Sequence, residues 1–507
     1  MKRELLLVFV AAVALYLPTV RYGFVQDDRA IVASNPAAHS IGAALAAFKD
    51  PYWPRETGAG LYRPVTILSY AVDWTVSGGR AGWFHLMNAL WHGLAAVLFV
   101  AVMARWLPVM AAVGAGLVFA WHPVHVEAVA SVVGRAELLA AVGILGAVLA
   151  ARHGRWSIAV ACAALAMFSK EHGVIVGVVI LLDKWLQTSD DRPYPNAFWI
   201  ALAAVSIGFL IAWFAVGWAG ENDEAAVFYG AGPILRLAIA LRAALRAAAL
   251  LFWPVSLSSD YGPQVVSSSG GFSLAALLGL LVIITVPAVA LVCRRRAPAI
   301  ALAAGLAALS YLPTANVLFA SGVVLAERNL YLAVALPATL VAAGALSFTM
   351  RRELRPAIVV LALLVAACGG RSILRLPAWR DNRAQLLTLL RDHPESYRAH
   401  ASAAAVLAGL GDTTAARREY AIADSLFPGD PYLEGARAIF LVGIGDTAAA
   451  APIVARGRNS VAGERMMLRA TFVLELARGR RAQAAAIADS ARRRFPGEQR
   501  WYLMFRQ

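Results

Sequence analysis

Eleven apolar runs separated by short loops constrain this chain more than any other feature. They fall near 4–20, 83–104, 109–122, 137–151, 156–169, 173–187, 197–218, 273–293, 298–316, 330–348 and 356–372. Helices over such runs can cross a hydrocarbon core of about 30 Å. Of the 507 residues 60% are apolar, well above the roughly 45–50% of a soluble globular mix. The expected fold is therefore all-α, with a polytopic bundle of about eleven spans over 1–376.

Basic clusters mark alternate ends of the runs: Lys2/Arg3, Arg105, Arg152/Arg155, Lys184/Arg192, Arg294–Arg295–Arg296 and Arg351/Arg352/Arg355. The positive-inside rule places these in the cytoplasm. Eleven crossings then put the C-terminal region outside, beyond the inner (cell) membrane of a bacterium. The first run lacks a small-residue cleavage site before Arg21, so it reads as a retained span. Segment 233–253 is long enough to cross but carries Arg236, Arg242 and Arg246, and reads as interfacial or re-entrant.

The net charge of +15 does not signal nucleic acid. Only four of the 46 basic residues are lysines, much of the arginine sits in topology-setting loops, and no nucleic-acid-binding signature accompanies it. Cys162, Cys293 and Cys368 lie in apolar segments, with neither a disulfide framework nor a metal spacing.

Beyond Pro377 the composition turns amphipathic and Arg-rich, which delimits a second domain over 377–507. Gly411-Asp412, Gly445-Asp446 and Gly479-Arg480 recur at a step of 34, as do Ala416, Ala450 and Ala484. Phe427-Pro428 returns as Phe495-Pro496. Helix, glycine turn, helix and terminal proline at this period is the tetratricopeptide pattern, here about three repeats of an α-solenoid.

Charges at the outer turns are the candidate site. Arg135 stands near Glu127 and Glu137, Lys170 beside Glu171, and Arg328 beside Glu327. Ionisable groups at the membrane mark function by default, although each pair could equally be a structural bridge between helices. A cationic cluster here would suit an anionic lipid headgroup. The long first outer loop, 21–82, opens with Asp27-Asp28-Arg29 and carries amphipathic stretches near 41–48 and 61–76. Asp27 or Asp28 could act as a general base or hold a divalent cation. Alternatively, Asp28 caps the following segment and pairs with Arg29.

Segment 122–137 is denser. A helix after Pro123 would align Glu127, Ser131 and Arg135 on one face, with His122 and His125 at its head. Zinc needs further ligands that no local Cys or His supplies, so the histidines suit hydrogen bonding to a substrate or carboxylate.

Several stretches resemble the transmembrane and tetratricopeptide-repeat O-mannosyltransferases (the TMTC family) and their bacterial relatives, in the GT-C superfamily. They are Phe24-Val-Gln-Asp-Asp-Arg29, Tyr62-Arg-Pro-Val-Thr66, Phe84-His-Leu-Met-Asn88 with His92, and His122-Pro-Val-His-Val-Glu-Ala-Val129. Gly134-Arg-Ala-Glu137, Ser169-Lys-Glu-His-Gly173, Leu257-Ser-Ser-Asp-Tyr261 and Glu327-Arg-Asn-Leu-Tyr331 continue the series. The resemblance implies inverting transfer of a sugar from a polyprenyl-phosphate-linked donor to a hydroxyl on the outer face, a protein Ser/Thr or an envelope glycan. It implies Asp27 or Asp28 as base, with Arg135, Lys170 and Arg328 on the donor phosphate. Arg63, His122, His125, Glu127, Glu171 and Glu327 complete the expected donor or substrate site. The repeats would meet a protein acceptor or partner. A lipid-linked-sugar transporter and a membrane-anchored scaffold are the competing functions.

Overall fold

The computed structural model describes residues 1–54, 60–187, 193–217, 224–268, 270–350, 354–457, 463–495 and 502. Arg192, Arg351, Arg352 and Pro496 lie outside these. Among the described residues the chain is helical throughout, with no strand. α1 (Lys2–Tyr16) leads into the first loop, which folds α2 (Ile41–Ala46) and α3 (Pro64–Ser77) where the two amphipathic stretches were expected. Then come α4 (Ala81–Met103), α5 (Val109–Trp121), the short α6 (His125–Ala130), α7 (Arg135–Arg152), α8 (Trp156–Ser169), α9 (Val176–Leu186) and α10 (Asn196–Ala212). α11 (Pro233–Phe252), α12 (Leu274–Cys293), α13 (Pro298–Tyr311), α14 (Ala335–Met350) and α15 (Leu354–Arg375) complete the bundle.

Among the described residues all eleven apolar runs are helical, and six helical segments are long and apolar enough to cross a membrane: Lys2–Arg21, Ala81–Met103, Val132–Arg152, Asn196–Val216, Leu274–Cys293 and Pro356–Trp379. The other five are shorter. α5, with 13 residues, rises only about 20 Å. The shortening has a local cause. α5 stops at His122, α8 at Lys170, and α13 and α14 flank a long irregular connection that holds Glu327 and Arg328. Helix is given up where the charged side chains must be presented, and such backbone is tolerated at membrane depth only inside protein.

Helix α7 is the centre of the bundle, packed against α4 and α8 and almost wholly buried. Small residues set the spacing. A Cβ on Gly143 would lie 2.6 Å from the Cys162 carbonyl on α8, so only glycine permits this approach. The three arginines of α11 keep it out of the crossing group, and it packs along α12. Its flanks return to one connection: Ala225 N–H donates to Ser321 O (2.9 Å) and Ser258 N–H to Glu327 (2.7 Å).

The C-terminal region begins with α16 (Asn382–Asp392), followed by three hairpins. These are α17 (Tyr397–Gly409) with α18 (Thr413–Leu426), α19 (Pro431–Gly443) with α20 (Thr447–Gly457), and α21 (Glu464–Ala477) with α22 (Arg481–Arg494). The 34-residue step has a physical basis. Gly411, Gly445 and Gly479 take φ of 83°, 85° and 75°, the left-handed conformation that ends a helix. Asp412 and Asp446 cap the second helices by accepting from Ala415 and Ala449 N–H. Ala416, Ala450 and Ala484 are buried at the helix crossings. The hairpins stack, with α19 against both α17 and α21.

Candidate active site

The acidic turn separates its two carboxylates. Asp28 is fully buried: Oδ2 accepts from Val25 N–H (3.0 Å), while Oδ1 accepts from Val133 N–H (2.8 Å) and faces the Ser131 hydroxyl at 3.4 Å. It neither caps the next turn nor pairs with Arg29, which corrects that alternative. Burial outweighs these donors and pushes its carboxyl up to about 6. Asp27 is half-buried and forms no side-chain hydrogen bond or ion pair among the described residues. The turn is held in an uncommon shape, with Gln26 at φ 47°.

The continuous helix expected through Glu127, Ser131 and Arg135 is broken. α6 ends at Ala130, Ser131 is extended, and α7 starts at Arg135. The Asn88 amide of α4 fills the break, donating to Ser131 O (2.9 Å) and more loosely to Val129 O and Val132 O. Gly134 is required there, since a Cβ would sit 2.1 Å from Ala128 O. The three side chains consequently diverge: Glu127 to Arg328, Ser131 to Asp28, and Arg135 to Asp73.

Arg135 is enclosed by the protein. It is 0% exposed, ion-pairs with Asp73, and donates to Asn88 Oδ1 (2.8 Å) and Phe84 O (2.9 Å). Tyr70 and Phe84 rings flank the guanidinium. Its expected pairing with Glu127 or Glu137 is not what the structure has. The histidines are also inward. His122 Nε2 meets Leu251 O (3.1 Å) and its Nδ1 accepts from Val124 N–H, while His125 Nε2 meets Tyr331 O (2.9 Å). With His92, whose Nδ1 meets the Tyr331 hydroxyl at 2.7 Å, they pack as an aromatic cluster around Phe119. Among the described residues no three His, Cys, Asp or Glu side chains are grouped to hold a metal ion.

The remaining charges come together from four loops, but they pair crosswise rather than with sequence neighbours. Arg63 grips Glu171 through Nε (3.0 Å) and an NH2 group (2.8 Å), a two-point geometry suited to guanidinium and carboxylate. Burial works against the Glu171 carboxylate, yet Arg63 prevails and holds its carboxyl below the usual range. Lys170 pairs with Glu137 and donates to Asn329 Oδ1 (3.0 Å). Burial, with the nearby Arg63 and Arg328 cations, pushes its ammonium well below the usual lysine range. Arg328 donates to Glu127 from its side chain (2.8 Å) and its backbone (3.0 Å). Its side chain stays 27% exposed, the most accessible of the three cations.

Glu327 does not pair with Arg328. It is buried and accepts from Ser258 N–H and the Tyr261 hydroxyl, both at 2.7 Å. Burial raises its carboxyl to about 7. Arg63 lies over the Tyr52 ring at 4.9 Å; burial raises the Tyr52 hydroxyl, Arg63 opposes that, and the Asp27 and Asp28 charges add to it. Sequence reasoning missed Tyr52, Asp73 and Asn329 and gave Asn88 no role. Asp73 had one visible signal, an acid in the amphipathic 61–76 stretch.

No family model matches the chain, and no solved structure matches it. Curated relatives do. Protein O-mannosyl-transferase Tmtc2 of Drosophila melanogaster is 41% identical over 29% of this chain and 16% of its own length. TMTC3 of Homo sapiens is 30% identical over 36% of this chain and 22% of its own length. TMTC4 of Mus musculus is 27% identical over 78% of this chain and 63% of its own length. The chain thus spans less than two thirds of each, and these relatives are animal rather than bacterial proteins. The chain is homologous to the TMTC proteins, a family whose members are named protein O-mannosyl-transferases.

Proposed function

We propose that this chain is an integral-membrane glycosyltransferase that moves a sugar from a polyprenyl-phosphate carrier to a hydroxyl acceptor outside the cytoplasm. Mannose and a protein hydroxyl acceptor follow from the names of the relatives, protein O-mannosyl-transferases. The observation that carries the reading is Asp27, a half-buried carboxylate with no side-chain partner among the described residues, whose charge acts on the same Tyr52 that lies under Arg63, itself a neighbour in charge of Lys170 and Arg328. That juxtaposition fits a displacement at an anomeric carbon.

Asp27 takes the proton of the acceptor hydroxyl as its oxygen attacks the anomeric carbon. The bond from that carbon to the phosphate oxygen breaks, and the lipid phosphate leaves with the electron pair. Arg328 is the accessible cation for that phosphate, with Arg63 and Lys170 adding field from buried positions where charge is weakly screened. Asp28 anchors the turn instead of competing for the proton. Arg135, His122 and His125 support the framework rather than touch the donor.

In this reading residues 1–376 are the catalytic membrane domain and 377–507 a tetratricopeptide-type domain on the acceptor side. The test is transfer of labelled mannose from polyprenyl-phosphate-mannose to a Ser/Thr-rich peptide by purified protein in lipid. Labelled peptide is expected. No transfer from this or any other lipid-linked sugar would overturn the reading and leave a scaffold.

A further inference from the structure

The domain 377–507 does not hang free of the site; it supplies hydrogen-bond acceptors to the acidic turn. Gly23 N–H donates to Arg380 O (3.1 Å), and Gln26 N–H donates to Asn382 Oδ1 (2.8 Å). Gln26 directly precedes Asp27 and holds the φ of 47° that a side-chain-bearing residue rarely adopts. Such a conformation is strained for a residue with a side chain and persists only where the surroundings over-determine it. Within the turn, Asp28 N–H bonds to Val25 O, Arg29 N–H to Gln26 O, and Val25 N–H to Asp28 Oδ2. The Gln26 amide has its partner across the domain boundary, on the first residue of α16. Asp381, just before it, caps that helix through Ala384 N–H and so orients Asn382.

A second contact reaches the cationic side. The Ser396 hydroxyl and Arg398, at the start of α17, bond to Asp260 at 3.3 Å and 3.2 Å. The Asp260 N–H donates to the Ser258 hydroxyl, and Ser258 N–H donates to Glu327, the neighbour of Arg328. The first two helices of the repeat region therefore contact both the turn bearing the carboxylate and the loop behind the cation.

We infer that Asn382 is a positioning residue for Asp27, and that the start of the repeat domain is a working part of the active site rather than a separate acceptor-binding module. The inference rests on the glycosyltransferase reading for its consequence in rate but not for its structural content. Loss of the Asn382 acceptor frees the Gln26 amide and lets the turn leave its left-handed shape, moving Asp27 off the line to the acceptor hydroxyl. Misplacing a reacting group by about 1 Å costs up to about 100-fold.

The test uses the full chain in lipid, with two readouts on Asn382→Ala and Asn382→Asp. Amide hydrogen exchange across 22–30 is expected to accelerate in Asn382→Ala while that across 327–334 stays at the wild-type rate. In the transfer assay kcat is expected to fall on the order of 10-fold with the donor KM unchanged. Asn382→Asp keeps an acceptor oxygen and should retain most of the rate. Arg417→Ala, which removes an exposed pair with Asp446 on the same domain, is the control expected to match wild type. Unchanged exchange in Asn382→Ala overturns the inference. So does accelerated exchange with unchanged kcat, which would make the contact structural only. Wild-type protein inactive with every lipid-linked sugar would instead defeat the functional reading, and the exchange result alone would decide whether Asn382 orders the turn.

Discussion

Replacing Arg135 separates a structural cation from a substrate-binding one. The Asp73 carboxylate it neutralises has a side chain only 5% exposed, and after Arg135→Gln its remaining hydrogen bond comes from Trp83 (3.2 Å). Removing one member of a buried pair costs about 3–5 kcal/mol, because the other charge is left uncompensated. Asn88 Oδ1 and Phe84 O lose donors as well, at about 1 kcal/mol each. The expected loss is therefore on the order of 5 kcal/mol. Arg328→Gln should cost far less: its side chain is 27% exposed and Glu127 keeps the Arg328 backbone donor. Thermal unfolding of the detergent-solubilised variants reads the difference, and Asp73→Asn closes a double-mutant cycle with Arg135→Gln. Stability should be partly regained in the double variant, where no buried charge remains unpaired. Equal melting of Arg135→Gln and Arg328→Gln, with the donor KM raised in both, would refute the assignment and return Arg135 to the phosphate site.

Three further outcomes are expected. Asp28→Ala removes the acceptor for Val25 and Val133 N–H and should lower stability by about 2–4 kcal/mol, seen as a reduced melting temperature. Asp28 also gives a pH signature: with its carboxyl moved from 3.8 to about 6, the folded protein retains a proton there that the unfolded chain has lost. Stability from this group is greatest at low pH and is lost as pH rises through that window, by about 3 kcal/mol in all; a melting profile in Asp28→Asn that keeps the same slope would contradict it. Arg63→Gln and Arg328→Gln should raise the donor KM in steady-state transfer, whereas unchanged KM in both would remove the phosphate role from this cluster.

Helices and the repeat were legible because both are local. Apolar runs announce helices whatever their neighbours do, and a glycine that must take positive φ returns every 34 residues, at Gly411, Gly445 and Gly479. The charges of the candidate site were visible in the sequence, but their pairing was not. Lys170 pairs with Glu137, Arg63 with Glu171 and Arg328 with Glu127, each across elements distant in sequence, while the adjacent acids point elsewhere. Sequence adjacency could not reveal that, nor that Ser131 would break the helix meant to align Glu127 with Arg135. The break depends on Asn88, a residue of another helix. Asp27 and Asp28 look equivalent in sequence, and only the approach of Val133 N–H to one of them distinguishes anchor from free carboxylate. Helix length was not legible in the apolar runs: helices that end early to present charge have the same apolar composition as those that continue.

The most direct measurement is sugar transfer from polyprenyl-phosphate-mannose by wild type beside Asp27→Asn, with both proteins shown to melt at the same temperature. The account predicts transfer by wild type and a loss of at least about 100-fold in the variant, the scale of a positioned general base. Equal transfer by the two proteins would place the reacting carboxylate somewhere other than the loop between α1 and α4.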